Sequence, residues 1–192
     1  MRRTRLALGM LFALAHPEAG GAAAPARGVF ATINGKRLKA VSTGQADDPC
    51  IIGFYQATGG VVFTASECRG RRRRRVPRRN SQQVIFICGV IDPPKTPPYE
   101  ASCLAATYSE VRTRRRVPFE QKIWNGSNSF ELGPDGMIVQ HPSVRLFVDA
   151  FDGANVRGRF SGVYDQPQQA GAPTSVAIGG EGTFDFPVRG VQ

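Results

Sequence analysis

Histidine is almost missing from this sequence, which has only His16 and His141. That absence removes most ordinary acid–base and metal chemistry. A Ser-His-Asp arrangement would have to recruit His141, which precedes Pro142 in an expected loop, and no Gly-x-Ser-x-Gly elbow accompanies it. No Cys-x-x-Cys pair occurs, which argues against a structural zinc site. Gly59-Gly60 and Gly179-Gly180 precede expected strands rather than helices, so neither is a phosphate-cradling loop. Lysine is scarce as well, with 4 against 21 arginines. Long apolar runs are missing beyond the N-terminus, so no later segment is expected to span a bilayer as a helix.

Paired carboxylates are the remaining route to hydrolysis, since a glycosidase needs only two. Asp149 and Asp152 are close in sequence, but Asp152 begins an expected turn at Asp152-Gly153. Asp47-Asp48 precede Pro49 in an expected loop. Both pairs are expected to be turn formers and solvated charges, and no EF-hand pattern surrounds them. No catalytic residue, metal ligand or cofactor site is assigned, and the chain is not expected to be an enzyme.

What is present begins with a leader. Arg2, Arg3 and Arg5 precede an apolar stretch from Leu6 to Ala15, about ten residues and too short for an ordinary membrane helix. Ala24-Pro25-Ala26 fits the small-residue pattern of a cleavage site. Residues 1–26 are expected to be a cleaved signal peptide, which places the rest of the chain outside the cytoplasm, periplasmic or extracellular. The remaining residues, 27–192, suffice for one domain that buries roughly 70% of its unfolded surface.

In that compartment Cys50, Cys68, Cys88 and Cys103 are expected to form two disulfides, with three connectivities open. One has a geometric argument. Residues 50–57 and 61–68 read as two strands joined by Thr58-Gly59-Gly60. A three-residue loop sets residue 57 opposite 61, hence Cys50 opposite Cys68, and leaves Cys88 with Cys103. A two-residue loop would misalign the first pair.

The helical signal is weak, and short alternating runs separated by Gly, Pro, Asn and Asp dominate. Val29, Ala31 and Ile33 alternate up to Asn34-Gly35, a strong hairpin signal that sets Leu38 opposite Ala31 and Ala40 opposite Val29. Gln83 to Ile91 is nearly continuous apolar sequence and reads as a central strand covered on both faces, a pattern that an edge-free barrel strand would share. Residues 92–98 hold four prolines and form an extended loop. Residues 103–111 and 117–124 are two further strands, and Pro134-Asp135-Gly136 is a turn. Val144, Leu146, Val148 and Ala150 alternate, as do Val156, Gly158 and Phe160 against Arg157, Arg159 and Ser161. Val176, Ile178, Phe184, Phe186 and Val188 close the chain. The expectation is an all-β fold, an antiparallel β-sandwich or barrel of about ten strands, because the connections are too short for parallel crossovers.

Two stretches resemble a family of small exported bacterial β-domains of unknown function. Residues 31–40 (Ala-Thr-Ile-Asn-Gly-Lys-Arg-Leu-Lys-Ala) are similar to the hairpin that opens those domains. Gly158-Arg159-Phe160-Ser161 and Gly182-Thr183-Phe184-Asp185-Phe186-Pro187-Val188 are similar to their closing strands. The family usually has an aromatic where Leu38 stands and often a lipid-anchored cysteine, and the middle of this chain is unlike it. The resemblance implies an antiparallel sandwich or barrel outside the cytoplasm, and no activity.

Charge is the most distinctive feature. The formal net charge is +10, falling to +8 without residues 1–26, which hold three arginines and one glutamate. Arg69, Arg71, Arg72, Arg73, Arg74, Arg75, Arg78 and Arg79 fall within eleven positions, and Arg112 and Arg114 to Arg116 form a second tract. Without these twelve arginines the body would carry −4. A tract of this density is expected to stay extended and solvated as a loop over residues 69–80 unless an anion neutralises it. Guanidinium groups grip phosphate, sulfate and carboxylate in bidentate fashion. The tract has no interleaved aromatics for base stacking. Glu110 and Glu120 flank the second tract and are placed to neutralise part of it. Two readings follow. One is a non-enzymatic exported β-domain of the envelope whose arginine loop is a solvated insertion. The other is a polyanion-binding module that contacts an anionic polymer or envelope surface through Arg69–Arg79.

Overall fold

The computed structural model describes residues 26–70, 75–78, 80–89, 96–112, 120–134, 136 and 138–189. The expected signal peptide therefore lies outside the described residues but for Ala26, as do Arg71–Arg74, Arg79, Arg114–Arg116 and most of the proline-rich loop. The described residues form strands and no helix, so none is long and apolar enough to cross a membrane as a helix.

The strands are β1 (Gly28–Ile33), β2 (Lys36–Val41), β3 (Ile51–Tyr55), β4 (Val61–Ser66), β5 (Cys68–Arg69), β6 (Val76–Pro77), β7 (Asn80–Gly89) and β8 (Tyr99–Arg112). They continue as β9 (Glu120–Asn125), β10 (Asn128–Leu132), β11 (Ile138–Pro142), β12 (Val144–Phe151), β13 (Asn155–Tyr164), β14 (Gln166–Pro167), β15 (Val176–Ala177) and β16 (Gly182–Pro187). The main sheet runs β2-β1-β16-β13-β12-β8-β7-β4-β3 and is antiparallel throughout. It coils into a nearly closed barrel, which decides between the two expected architectures. Side chains and loop backbone cover the open edges of β2 and β3. Gln82 Nε2 donates to Arg37 O at 3.1 Å, Lys39 N donates to Glu67 Oε1 at 3.3 Å, and Arg189 N donates to Gly53 O at 2.9 Å. Such contacts occupy part of each edge and hinder the addition of a further strand.

The first hairpin follows from its turn. Asn34 and Gly35 have φ of 52° and 70°, as a two-residue type I′ turn requires. The register is Val29↔Ala40 and Ala31↔Leu38, as the alternation predicts. The C-terminal alternation holds too: Val144, Leu146, Val148, Val156, Phe160, Phe184 and Phe186 are all buried.

Phenylalanine fills the interior. Phe63 stacks on Phe86 with ring centroids 4.9 Å apart and meets Phe184 at 5.3 Å and Phe186 at 5.1 Å, while Phe86 meets Phe160 at 5.0 Å. Glycines make room for these rings: a Cβ at Gly53 would strike the Phe186 ring, and one at Gly158 would strike Phe147 O and the Phe184 ring.

Two expectations need correction. The β3–β4 hairpin pairs Tyr55 with Val61, not residue 57, because five residues make the connection. Gln56 N donates to Gly60 O and Gly59 N to Gln56 O, both at 2.8 Å. The slip is two residues, so every side chain keeps its face. The disulfides Cys50–Cys68 and Cys88–Cys103 both form, the first on a diagonal because Ser66 N, not a residue at 68, donates to Cys50 O. The second correction concerns β7. Only one of its faces is covered: Val84, Phe86 and Cys88 are buried, while Ile85 is half-buried and Ile87 is 42% exposed. An unbroken apolar run does not distinguish two covered faces from one covered face and one apolar outer face.

Candidate anion-binding end of the barrel

Both arginine tracts are tied to one end of the barrel. In the β7–β8 ladder Asn80 pairs with Arg112, and in the β8–β9 ladder Arg112 pairs with Glu120. Residues 113–119 therefore connect two paired positions. The first tract joins the same end, since Arg78 N donates to Glu67 O at 3.0 Å and Glu67 N to Gln82 O at 3.3 Å. The tracts lie some forty residues apart in the chain, and hairpin folding of β7 onto β8 superposes their attachment points. Arg69, Arg78 and Arg112 are exposed, with no ion-pair partner among the described residues.

Arg75 differs from the other described members. Its Nη1 lies 2.6 Å from Asp48 Oδ2, with side-chain exposures of 10% and 1%. Asp48 also accepts from Thr43 N at 2.8 Å and Cys50 N at 3.0 Å. The expectation that Asp48 is a solvated turn former fails because three donors, one of them cationic, replace its water. Arg75 thereby closes the tract's return to the barrel beside the Cys50–Cys68 bridge.

Below the rim lies a cleft of about 160 Å³ lined by Lys36, Glu67, Gln82, Glu110 and Arg112 among others. Glu110 is buried, and Lys36 Nζ lies 2.6 and 2.5 Å from its two oxygens. Tyr108 Oη is 3.0 Å from Glu110 Oε1 and 3.1 Å from Gln82 Oε1. Burial first, and then the Glu110 charge, holds the Tyr108 phenol well above its ordinary range, so it stays a neutral donor. Of the second tract only Arg112 is described, and Glu110 makes no ion pair with it among the described residues. Alternation along β8 turns it inward, onto Lys36. Glu120 lies 3.9 Å from Lys122. Nothing in the sequence marks Lys36, Gln82, Tyr108 and Glu110 as neighbours, because β2, β7 and β8 bring them together from distant positions.

The other candidates are scattered. His141 sits on β11 rather than in a loop, exposed and 3.4 Å from Glu131. Asp149 lies 3.5 Å from Arg159. Asp152 accepts from Ala154 N at 2.9 Å and Asn155 N at 2.6 Å, and these backbone donors hold its carboxyl below the usual range. It caps the β12–β13 turn and does not share a cleft with Asp149. Among the described residues no cluster of His, Cys, Asp or Glu could hold a metal ion.

Comparison with protein-family models, curated proteins and solved structures found no match. No family's activity or site residues are therefore carried onto this chain.

Proposed function

We propose that this chain is a non-enzymatic binding domain of an exported compartment, and that its arginine-bearing end receives polyanions. The register Asn80↔Arg112 carries the reading, because it ties both tracts to one rim. Of the twelve guanidinium groups in the two tracts, Asp48 neutralises one, Arg75, and the other eleven concentrate positive charge at the ends where the tracts attach. Arg69, Arg78 and Arg112, exposed and without an ion-pair partner among the described residues, support the same reading. Two disulfides are compatible with an oxidising location.

The test is retention on immobilised heparin under a salt gradient. Changing Arg71, Arg72, Arg73, Arg74 and Arg78 to Ser leaves the Asp48–Arg75 pair in place. That variant elutes at lower salt, as does a variant with Arg114, Arg115 and Arg116 changed to Ser, and combining them lowers it further. Each lost anion contact flattens the logarithmic salt dependence by roughly one unit. Arg145, bonded to Glu100 at 2.6 Å, supplies the control, because Arg145→Ser leaves elution unchanged. Elution of both tract variants at the wild-type salt would show the reading to be wrong.

A further inference from the structure

The hairpin β10–β11 is a two-stranded sheet of its own, set apart from the main sheet. On one side of β8, residues 99–101 pair with β12 and residues 107–112 pair with β9. The hairpin leaves the barrel between these two pairings. Its foot is fixed: Ser143 N donates to Ser127 O at 2.9 Å, and Asn128 Nδ2 and Gln140 Nε2 donate to Cys103 O at 2.9 and 3.2 Å. A cleft of about 460 Å³ parts β11 from Glu100, Ser102 and Arg145. A two-stranded hairpin with both faces in water is marginal, and a further strand or a packed face stabilises it.

Period two puts Asn128, Phe130 and Leu132 on one face of this arm. The Glu131–His141 pair lies on the other face. Phe130 and Leu132 are 65% and 72% exposed. Leu104, whose carbonyl accepts from Asn128 Nδ2 at 3.4 Å, is 75% exposed. Among the described residues these are the three most exposed large apolar side chains, and they meet at one place. Together they present about 350 Å² of apolar surface. Half of a standard dimer interface contains roughly 450 Å² of apolar area, so these three side chains supply most of one partner's share.

Charge and edge chemistry say what covers them. Residues 126–143 hold no lysine or arginine, and their acids are Glu131 and Asp135. An anionic polymer or lipid surface is repelled by these acids, whereas a second copy meets an uncharged face. β11 ends in Pro142, which has no amide donor, while every residue of β10 has one, so β10 is the edge suited to receive a strand. Antiparallel pairing of β10 with itself about Phe130 sets Phe130 against its own copy, Glu131 against Ser129, and Leu132 against Asn128. No like charges are opposed. Each Leu132 then comes beside the other copy's Leu104, which Asn128 touches.

We infer that this chain forms a two-fold dimer through β10, joining two arms into a four-stranded sheet that covers Phe130, Leu132 and Leu104 of both copies. None of these residues is cationic, so the inference stands apart from the polyanion reading.

The experiment is sedimentation of the disulfide-bonded protein, recovered from an exporting host, over a range of concentrations. The wild type sediments as a dimer that dissociates on dilution. Phe130→Thr with Leu132→Thr keeps strand-forming residues and raises the dissociation constant by about tenfold or more. Leu104→Ser, on the barrel rather than the arm, shifts it in the same direction. Val41→Ser is the control, because Val41 is exposed on β2, and it leaves the dimer intact. Ser129→Cys with Glu131→Cys sets cysteine opposite cysteine twice across the two-fold and links the chains covalently without reductant. A wild type that stays monomeric at every concentration overturns the inference, as does a dimer that ignores the arm and Leu104 variants or that these cysteines fail to link. A monomer that floats with phosphatidylcholine vesicles through Phe130 and Leu132 also overturns it, because lipid then covers the patch.

Discussion

Arg75 reaches back 27 residues to Asp48, and the two form an ion pair from which water is nearly excluded. Removing one partner of such a pair leaves an uncompensated buried charge. Asp48→Ala strands the guanidinium and also the amides of Thr43 and Cys50, so it costs about 3–5 kcal/mol in urea unfolding. Arg75→Met costs less, because Asp48 retains its two backbone donors. In Asp48→Ala, trypsin cleaves the first arginine tract faster than in the wild type. Equal unfolding midpoints for the wild type and Asp48→Ala would show that the pair does not anchor the tract.

Gly53 and Phe186 form a size-matched pair. Gly53→Ala forces its methyl into the Phe186 ring and costs about 1–3 kcal/mol. Phe186→Leu in the same chain opens space for that methyl, so the double variant is more stable than the sum of the single costs predicts. Gly158→Ala meets a backbone carbonyl, Phe147 O, as well as a ring, and no side-chain change nearby rescues it. A double-mutant cycle by denaturant unfolding checks both statements.

Burial first holds Tyr99, Tyr108 and Tyr164 well above the ordinary tyrosine pKa, with neighbouring groups adding to it for Tyr99 and Tyr108. Below about pH 10 the folded and unfolded chains hold these protons equally. Above it the unfolded chain loses them first and binds fewer protons, so stability falls as pH rises. Ultraviolet titration of the folded protein leaves these three phenols un-ionised until the chain unfolds, whereas free titration near pH 10 would contradict their burial. Tyr164 Oη has no hydrogen-bond partner among the described residues. Tyr164→Phe therefore leaves stability unchanged or raises it by about 1 kcal/mol and flattens the alkaline loss.

Cys50–Cys68 and Cys88–Cys103 close loops with sequence separations of 18 and 15. Replacing either pair with Ser costs about 3 kcal/mol on a chain-entropy estimate. Peptide mapping without reduction recovers these two bridges, and a fragment joining Cys50 to Cys88 or Cys103 would break the β3–β4–β7 arrangement.

The first hairpin shows what was legible. Asn34-Gly35 selects a tight turn, the turn sets the register, and the alternation sets the face, all within fourteen residues. The β3–β4 hairpin shows where legibility ended. Its loop is contacted from another strand, where the Tyr99 hydroxyl donates to Gly59 O. The disulfide expectation survived the two-residue slip because side-chain period is two. β7 was recognisable as a strand, yet what covers its outer face is a property of its neighbours. The candidate site was half legible. Arginine density marked the tracts, but the pairings of Lys36 with Glu110 and of Arg75 with Asp48 carry no local signature.

The amino-acid sequence alone determined the all-β class, the first hairpin, the inward faces of β12, β13 and β16, and the density of the arginine tracts. Each of these depends on neighbours within a few residues, through turn chemistry and two-residue periodicity. Only the tertiary structure decided that the sheet curls into a nearly closed barrel, that Arg75 is buried on Asp48, that Glu110 faces Lys36, and that both tracts attach at one end of the barrel. Those outcomes depend on which strands pair and in what register. Pairing is settled by packing across the whole barrel, which no local stretch of the chain contains.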